Sequence, residues 1–154
     1  MEISNQSLLT VAEIDLIYKT KVKASDRPKI TNAHKAYEIF RATWDMDKIE
    51  FVEQFKILFL NRHNKVLGIY EASTGGTAGT VADIKLIFAS ALKANAHAII
   101  IAHNHPSGNL NPSETDIRLT EQVKNAGKIL ELYLMDHIII TAEGYYSFSD
   151  EGSL

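Results

Sequence analysis

Ala98-Ile99-Ile100-Ile101-Ala102-His103-Asn104-His105-Pro106-Ser107-Gly108-Asn109-Leu110-Asn111-Pro112-Ser113-Glu114-Thr115-Asp116 is the stretch on which the rest of the chain depends. Its first five residues are apolar throughout and short enough to form one buried strand. A helical pattern begins at its far end. Two imidazoles, a hydroxyl and a carboxylate therefore stand at a strand-to-helix junction, where α/β sheets place their ligands. Side chains two apart in an extended chain point the same way, so His103 and His105 share a side. Pro106 favours this, because a residue before proline is pushed towards β. Asn111 reads as the N-cap of the following helix, Pro112 as its first position and Glu114 as the capping-box carboxylate. Ser113 and Asp116, three apart on one helical face, are then left out of the cap. The competing possibility is that Ser113-x-x-Asp116 is itself the capping box. Two neutral imidazoles, a carboxylate and an open position match a three-ligand catalytic zinc site. The bland alternative is that histidines beside a Gly-Pro loop simply cap backbone groups, and His-x-His alone is a weak signal.

The full spacing is more specific. His103-x-His105, then seven residues, then Ser113-x-x-Asp116 resembles the JAMM signature of the JAB/MPN metalloproteases. The string from His103 to Gly108, with Asp136-His137-Ile138-Ile139 downstream, resembles the RadC-like branch of that family, over residues 53 to about 152. The resemblance implies an α/β fold, a single domain whose mixed β-sheet is packed by helices in the JAB/MPN, cytidine-deaminase-like arrangement. It implies Zn2+ held by His103, His105 and Asp116, with Ser113 as a donor to the oxyanion. It also implies an upstream glutamate as general base, at the position of Glu53. The implied activity is hydrolysis of a peptide or isopeptide bond, with a peptide or an isopeptide-linked protein as substrate. Nothing local marks Glu53, since Glu50, Glu71 and Asp83 look equivalent, and its bland reading is an exposed strand-end carboxylate. Lys85-Leu86 stand where many relatives carry Arg-Glu, which leaves the role of that carboxylate in doubt here. The family also carries a DNA-repair label, so the alternative is a DNA-associated accessory protein with a zinc site. The helical N-terminal segment of longer relatives, which resembles a helix-hairpin-helix, has no room before Glu53.

Composition sets outer bounds. A chain of 154 residues is one ordinary domain with a real core. Hydrophobic content of 45% with 23% charged residues is that of a soluble globular protein. The absence of cysteine excludes disulfides and thiolate metal sites and suits a reducing cytoplasm. Residues 1–6 lack the basic region and apolar core of a signal peptide, and no apolar run reaches membrane-spanning length. With 16 basic against 19 acidic residues, bulk charge does not favour DNA as a partner.

Outward from the central stretch, residues 1–30 read as an N-terminal strand and arm before a domain over 31–154. Ile14, Leu16 and Tyr18 alternate with Asp15 and Lys19, the pattern of an edge-like strand over about residues 11–22. Lys19, Lys21, Lys23, Arg27 and Lys29 are either a DNA-contacting arm or a solvated edge protected by lysines. Thr31 or Asn32 can cap a helix running to about Trp44, itself a core anchor or a rim contact. A strand follows Glu53, then a hairpin loop over 61–65 and an antiparallel return over 66–70. The glycine loop over 73–79 lacks the Gly-Lys-Ser/Thr ending of a phosphate loop. Thr80 and Asp83 form a capping-box pattern before a helix whose buried face is Ile84, Ile87, Phe88, Ala91 and Leu92. Ile117, Thr120, Val123 and Lys124 continue the helix after the central motif, and Gly127 can end it. Leu130, Leu132 and Leu134 alternate into a strand, Ile138 to Ile140 start another apolar run, and Glu143-Gly144 form a turn into a last strand over 145–148. His34, His63 and His97 lack ligand-spaced partners. His137 reads as a support to the site rather than a ligand.

Overall fold

Strand β3 (Ala98–Asn104) is buried along its whole length, as an unbroken apolar run requires, and it lies in the middle of a five-stranded sheet. The computed structural model describes residues 11–15, 17–75 and 82–154. The other strands are β1 (Gln54–Leu60), β2 (Val66–Thr74), β4 (Tyr133–Ile140) and β5 (Tyr145–Ser147), and the sheet order is β2-β1-β3-β4-β5. β1 pairs antiparallel with both β2 and β3, β3 pairs parallel with β4, and β4 antiparallel with β5. Adjacent parallel strands need a crossover, and helix α3 (Glu114–Ile129) supplies it between β3 and β4.

Side-chain alternation divides the sheet into two packed faces. Leu58, Leu60, Ile100, Ala102, Ile138 and Ile140 meet α1 (Ala33–Thr43) through Ala36 and Phe40, with Trp44 and Ile49 from the segment that follows. Phe55, Ile57, Phe59, Ile99 and Ile101 meet α2 (Ile84–Lys93) and α3 through Ile87, Phe88, Ala91 and Val123. The fold is thus α/β, a mixed sheet with helices on both faces, as expected. No helix among the described residues is long and apolar enough to cross a membrane.

Several local expectations need correction. Residues 11–15 and 17–23 form no strand. Alternation describes which way side chains face but does not supply a ladder partner, and Ile14 and Ile17 stay 84% and 54% exposed. The arm touches β2 through the Tyr18 hydroxyl, which donates to the Leu67 carbonyl at 2.8 Å. The buried stripe of α2 is narrower than its periodicity suggests, since Leu92 is exposed. Asp83 caps that helix, accepting from the amides of Lys85 and Leu86; Thr80, the other half of the expected capping box, lies outside the described residues, as do residues 76–79 of the glycine loop, Leu16 and residues 1–10. Gly127 does not end α3, which runs on to Ile129. It is a close-approach position, where a Cβ would stand 2.1 Å from the Leu132 carbonyl oxygen. The turn after α3 uses Glu131 at φ +54°. Finally, Leu134 and the apolar run Ile138 to Ile140 fall in one strand, Tyr133–Ile140, while Leu130 and Leu132 precede it. The polar pair Asp136-His137 does not interrupt it, because both side chains find buried partners.

Candidate metal centre

β3 delivers His103 at its penultimate position, buried and facing the α2 and α3 side opposite Phe55. The His105 amide donates to the Ile140 carbonyl at 3.0 Å, extending the β4 pairing one residue past β3. That extension keeps the pleat going, so the two imidazoles share a side. Beyond it, Gly108 at φ +83° turns the chain, a conformation glycine adopts without steric cost.

Helix α3 brings the third group. Its N-cap is Ser113, whose Oγ accepts the Asp116 amide at 3.1 Å while the Ser113 amide donates to Asp116 Oδ2 at 2.8 Å. The capping box is therefore Ser113-x-x-Asp116, and the expectation of an Asn111 cap with Glu114 is corrected. Asn111, Pro112 and Glu114 offer good local chemistry, but starting the helix at Glu114 brings the Asp116 carboxylate against both imidazoles. One carboxylate thus serves the helix and the site together.

Ligand atoms of His103, His105 and Asp116 all lie within 4.8 Å of one another. His103 Nε2 and His105 Nε2 are 3.0 Å apart, and they stand 3.1 and 3.2 Å from Asp116 Oδ1 and Oδ2 respectively. Tetrahedral zinc with bonds of about 2.0–2.2 Å sets its donors roughly 3.3–3.6 Å apart, so these groups stand within a few tenths of an ångström of the spacing such an ion needs.

Hydrogen-bond accounting supports the same fit. His105 Nδ1 lies 2.6 Å from the Asn109 carbonyl, which can only accept, so Nδ1 carries a hydrogen and a neutral ring presents its lone pair at Nε2. Behind His103, the Thr120 hydroxyl donates to the Asp116 carbonyl at 2.7 Å. It must therefore accept from His137 Nδ1, also 2.7 Å away. His137 Nε2 is then the acceptor for His103 Nδ1–H at 2.9 Å, and His103, when neutral, also presents a lone pair at Nε2. With both rings neutral, three electron-pair donors converge with no hydrogen among them. Such a cluster calls for a cation, either a proton or a metal ion.

The electrostatics agree. Burial would push the Asp116 carboxyl up, but hydrogen bonds from His103 and His105 hold it well below the usual carboxylate range. The hydrogen bond to Asp116 raises His105 against the opposing effect of burial. His137 is wholly buried, and burial together with the nearby His103 lowers it well below the ordinary imidazole value. Its ring stacks on Phe148 with centroids 4.7 Å apart. Asp136 points to the other sheet face, where it accepts from Ser147 Oγ and the Ser149 amide and ties β4 to the chain end.

Glu53, one residue before β1, lines a cleft with Phe55, His103, Asp116, Arg118 and Gln122. The fold thus brings Glu53 to the ligand cluster across the β1–β3 pairing. Ser113 is exposed at the helix start and does not line that cleft. The cap uses a lone pair of its Oγ, which leaves the hydroxyl hydrogen available. Thr115, Arg118, Leu119 and Gln122 form a cleft wall that sequence reasoning missed. Their i, i+3, i+4, i+7 spacing beside Asp116 was the available signal. His34 and His63 are exposed and His97 meets Tyr133 edge-on, all away from the cleft.

Residues 30–153 match the model of the family described as RadC-like JAB domain. A UPF0758 protein of Flavobacterium johnsoniae is 50% identical over 100 residues, covering 65% of this chain and 44% of that protein. A UPF0758 protein of Porphyromonas gingivalis is 42% identical over 130 residues, covering 83% of this chain and 56% of its own. One from Thermotoga maritima is 38% identical over 102 residues, 66% of this chain and 46% of the relative. The chain therefore spans about half the length of the curated relatives it matches.

Proposed function

This chain belongs to the RadC-like JAB domain family, and we propose that it is a zinc-dependent hydrolase that cleaves a peptide or isopeptide amide bond. The observation that carries this reading is the convergence of His103 Nε2, His105 Nε2 and the Asp116 carboxylate at 3.0–3.2 Å, beside a cleft that Glu53 also lines. Those three groups would hold the ion. When bound, zinc lowers the pKa of a coordinated water towards ~7 and polarises a carbonyl.

The remaining chemistry belongs to the side chains. The Glu53 carboxylate accepts a proton as water adds to the amide carbonyl, then passes it to the departing nitrogen as the C–N bond breaks. The Ser113 hydroxyl donates its hydrogen to the oxygen that gains negative charge. His137 and Thr120 hold His103 in the tautomer that faces the ion. Arg118 and Gln122 line the same cleft wall and would meet a substrate bound there.

The test compares zinc-loaded wild type with Glu53→Gln on a library of linear peptides and isopeptide-linked substrates. The expected result is cleavage by wild type and a loss of ~10²–10⁴ in turnover by the variant, with zinc retained. Equal rates for both, or no zinc taken up by wild type, would remove this proposal.

A further inference from the structure

Asn104 stands between the two imidazoles of His103-x-His105 and is completely buried. The pleat that sends both histidines to the cleft sends Asn104 to the opposite face of the sheet, beside Ile49. There its Oδ1 accepts the Gln54 amide at 2.7 Å, and its Nδ2 donates to the carbonyls of Ile49 and Val52 at 2.7 and 2.9 Å. Both carboxamide hydrogens are used. Two of the three partners, Val52 and Gln54, flank Glu53 on either side. The third holds the turn that leads to it. The β1–β3 register begins at Phe55↔His103, so the carboxamide takes over one residue beyond, beside the Glu53 main chain. Gly75 closes the arrangement from the β2 side by donating its amide to the Glu53 carbonyl at 2.8 Å.

We propose that Asn104 is a positioning residue for Glu53. One tripeptide would then set the metal ligands with one face and the main chain of the general base with the other. The inference rests on Glu53 acting as general base. Asparagine suits the task because it offers an acceptor and two donors at one rigid point. Aspartate would keep the acceptor but set oxygen against two carbonyls, and serine is too short to span all three partners.

The test uses the full chain with Asn104→Ser and Asn104→Asp, read by zinc affinity, amide hydrogen exchange and turnover. In Asn104→Ser, exchange across residues 49–54 should quicken by about tenfold or more, while residues 99–102 stay protected. Zinc affinity should remain close to that of wild type. Turnover should fall, with no further loss when the change is added to Glu53→Gln. In Asn104→Asp, the Gln54 amide should stay more protected than in Asn104→Ser, because its acceptor remains; this variant decides the matter if the serine protein does not fold. Unchanged exchange over 49–54, loss of zinc in step with turnover, or losses that multiply in the Glu53→Gln background would each overturn the assignment. If wild type and Glu53→Gln hydrolyse equally, the general-base role fails by itself, and the exchange data still judge the clamp.

Discussion

His103 Nδ1 lies 2.9 Å from His137 Nε2, and this contact decides which nitrogen His103 turns to the cleft. Removing the acceptor should therefore weaken the metal site without touching a ligand. In His137→Phe, zinc affinity should fall by about 10–100-fold, and His137→Gln, whose carbonyl can accept the same bond, should recover part of it. Competition against a chromophoric chelator at fixed neutral pH measures both.

Ser113 Oγ serves the helix with a lone pair, and the proposed second role of its hydroxyl, as a donor to the substrate oxyanion, can be tested apart from the first. Ser113→Ala should cost ~1 kcal/mol of stability through loss of the cap, roughly 2–4 °C in Tm for a chain of this size. Ser113→Gly should cost only a few tenths of a kcal/mol. Both should lower turnover by ~10²–10³ if the hydroxyl meets the oxyanion. A glycine variant with full turnover would leave Ser113 as a cap alone.

Under the proposed function, protons and a metal ion would compete for the same three groups. In the metal-free protein His105 is raised by its hydrogen bond to Asp116, so its stabilisation is fully present below about pH 6.5 and lost as pH climbs through the raised value. Asp116 is depressed by His103 and His105 despite its burial, so its share is present above about pH 3.9 and lost as pH falls. Buried His137, held well below the ordinary imidazole value, adds a loss that begins as pH falls below about 6.5, so thermal melts of the metal-free protein should be highest near that pH and decline on both sides. Added zinc should raise the alkaline limb, where protons no longer hold the ligands. An alkaline limb that zinc leaves unmoved would contradict this.

Gly127 leaves no room for a side chain. An added Cβ would stand 2.1 Å from the Leu132 carbonyl oxygen, a backbone atom, in the turn where the Leu132 amide donates to the Gly127 carbonyl at 2.8 Å. Gly127→Ala should destabilise by ~1–3 kcal/mol through overpacking, although alanine is the better helix former. Urea unfolding of the two proteins gives the comparison.

Much of the architecture is written in local pattern. The run Ile99-Ile100-Ile101 is a buried central strand, the stripe Ile87, Phe88 and Ala91 a buried helix face, and the residues around Glu143-Gly144 a turn before β5. The spacing from His103 to Asp116 likewise foretells three donors across one strand-to-helix junction. Local pattern misled where two chemistries fitted equally. Asn111 and Ser113 are both good caps, and the choice fell to the one that brings Asp116 against the imidazoles. Alternation over residues 11–22 looked like a strand, but alternation carries no information about a ladder partner.

By itself, then, the sequence determined most of the secondary elements and the grouping of His103, His105 and Asp116 at one strand-to-helix junction, because periodicity and close spacing act over a few residues. Only the tertiary structure decided that Asn104 clasps the chain on both sides of Glu53, that His137 and Thr120 stand behind His103, and that Glu53 rather than Glu50 or Glu71 lines the cleft. Those partners lie tens of residues apart in the chain. Which of them meet depends on strand register and on which face of the sheet is buried, and neither is set until the whole sheet has formed.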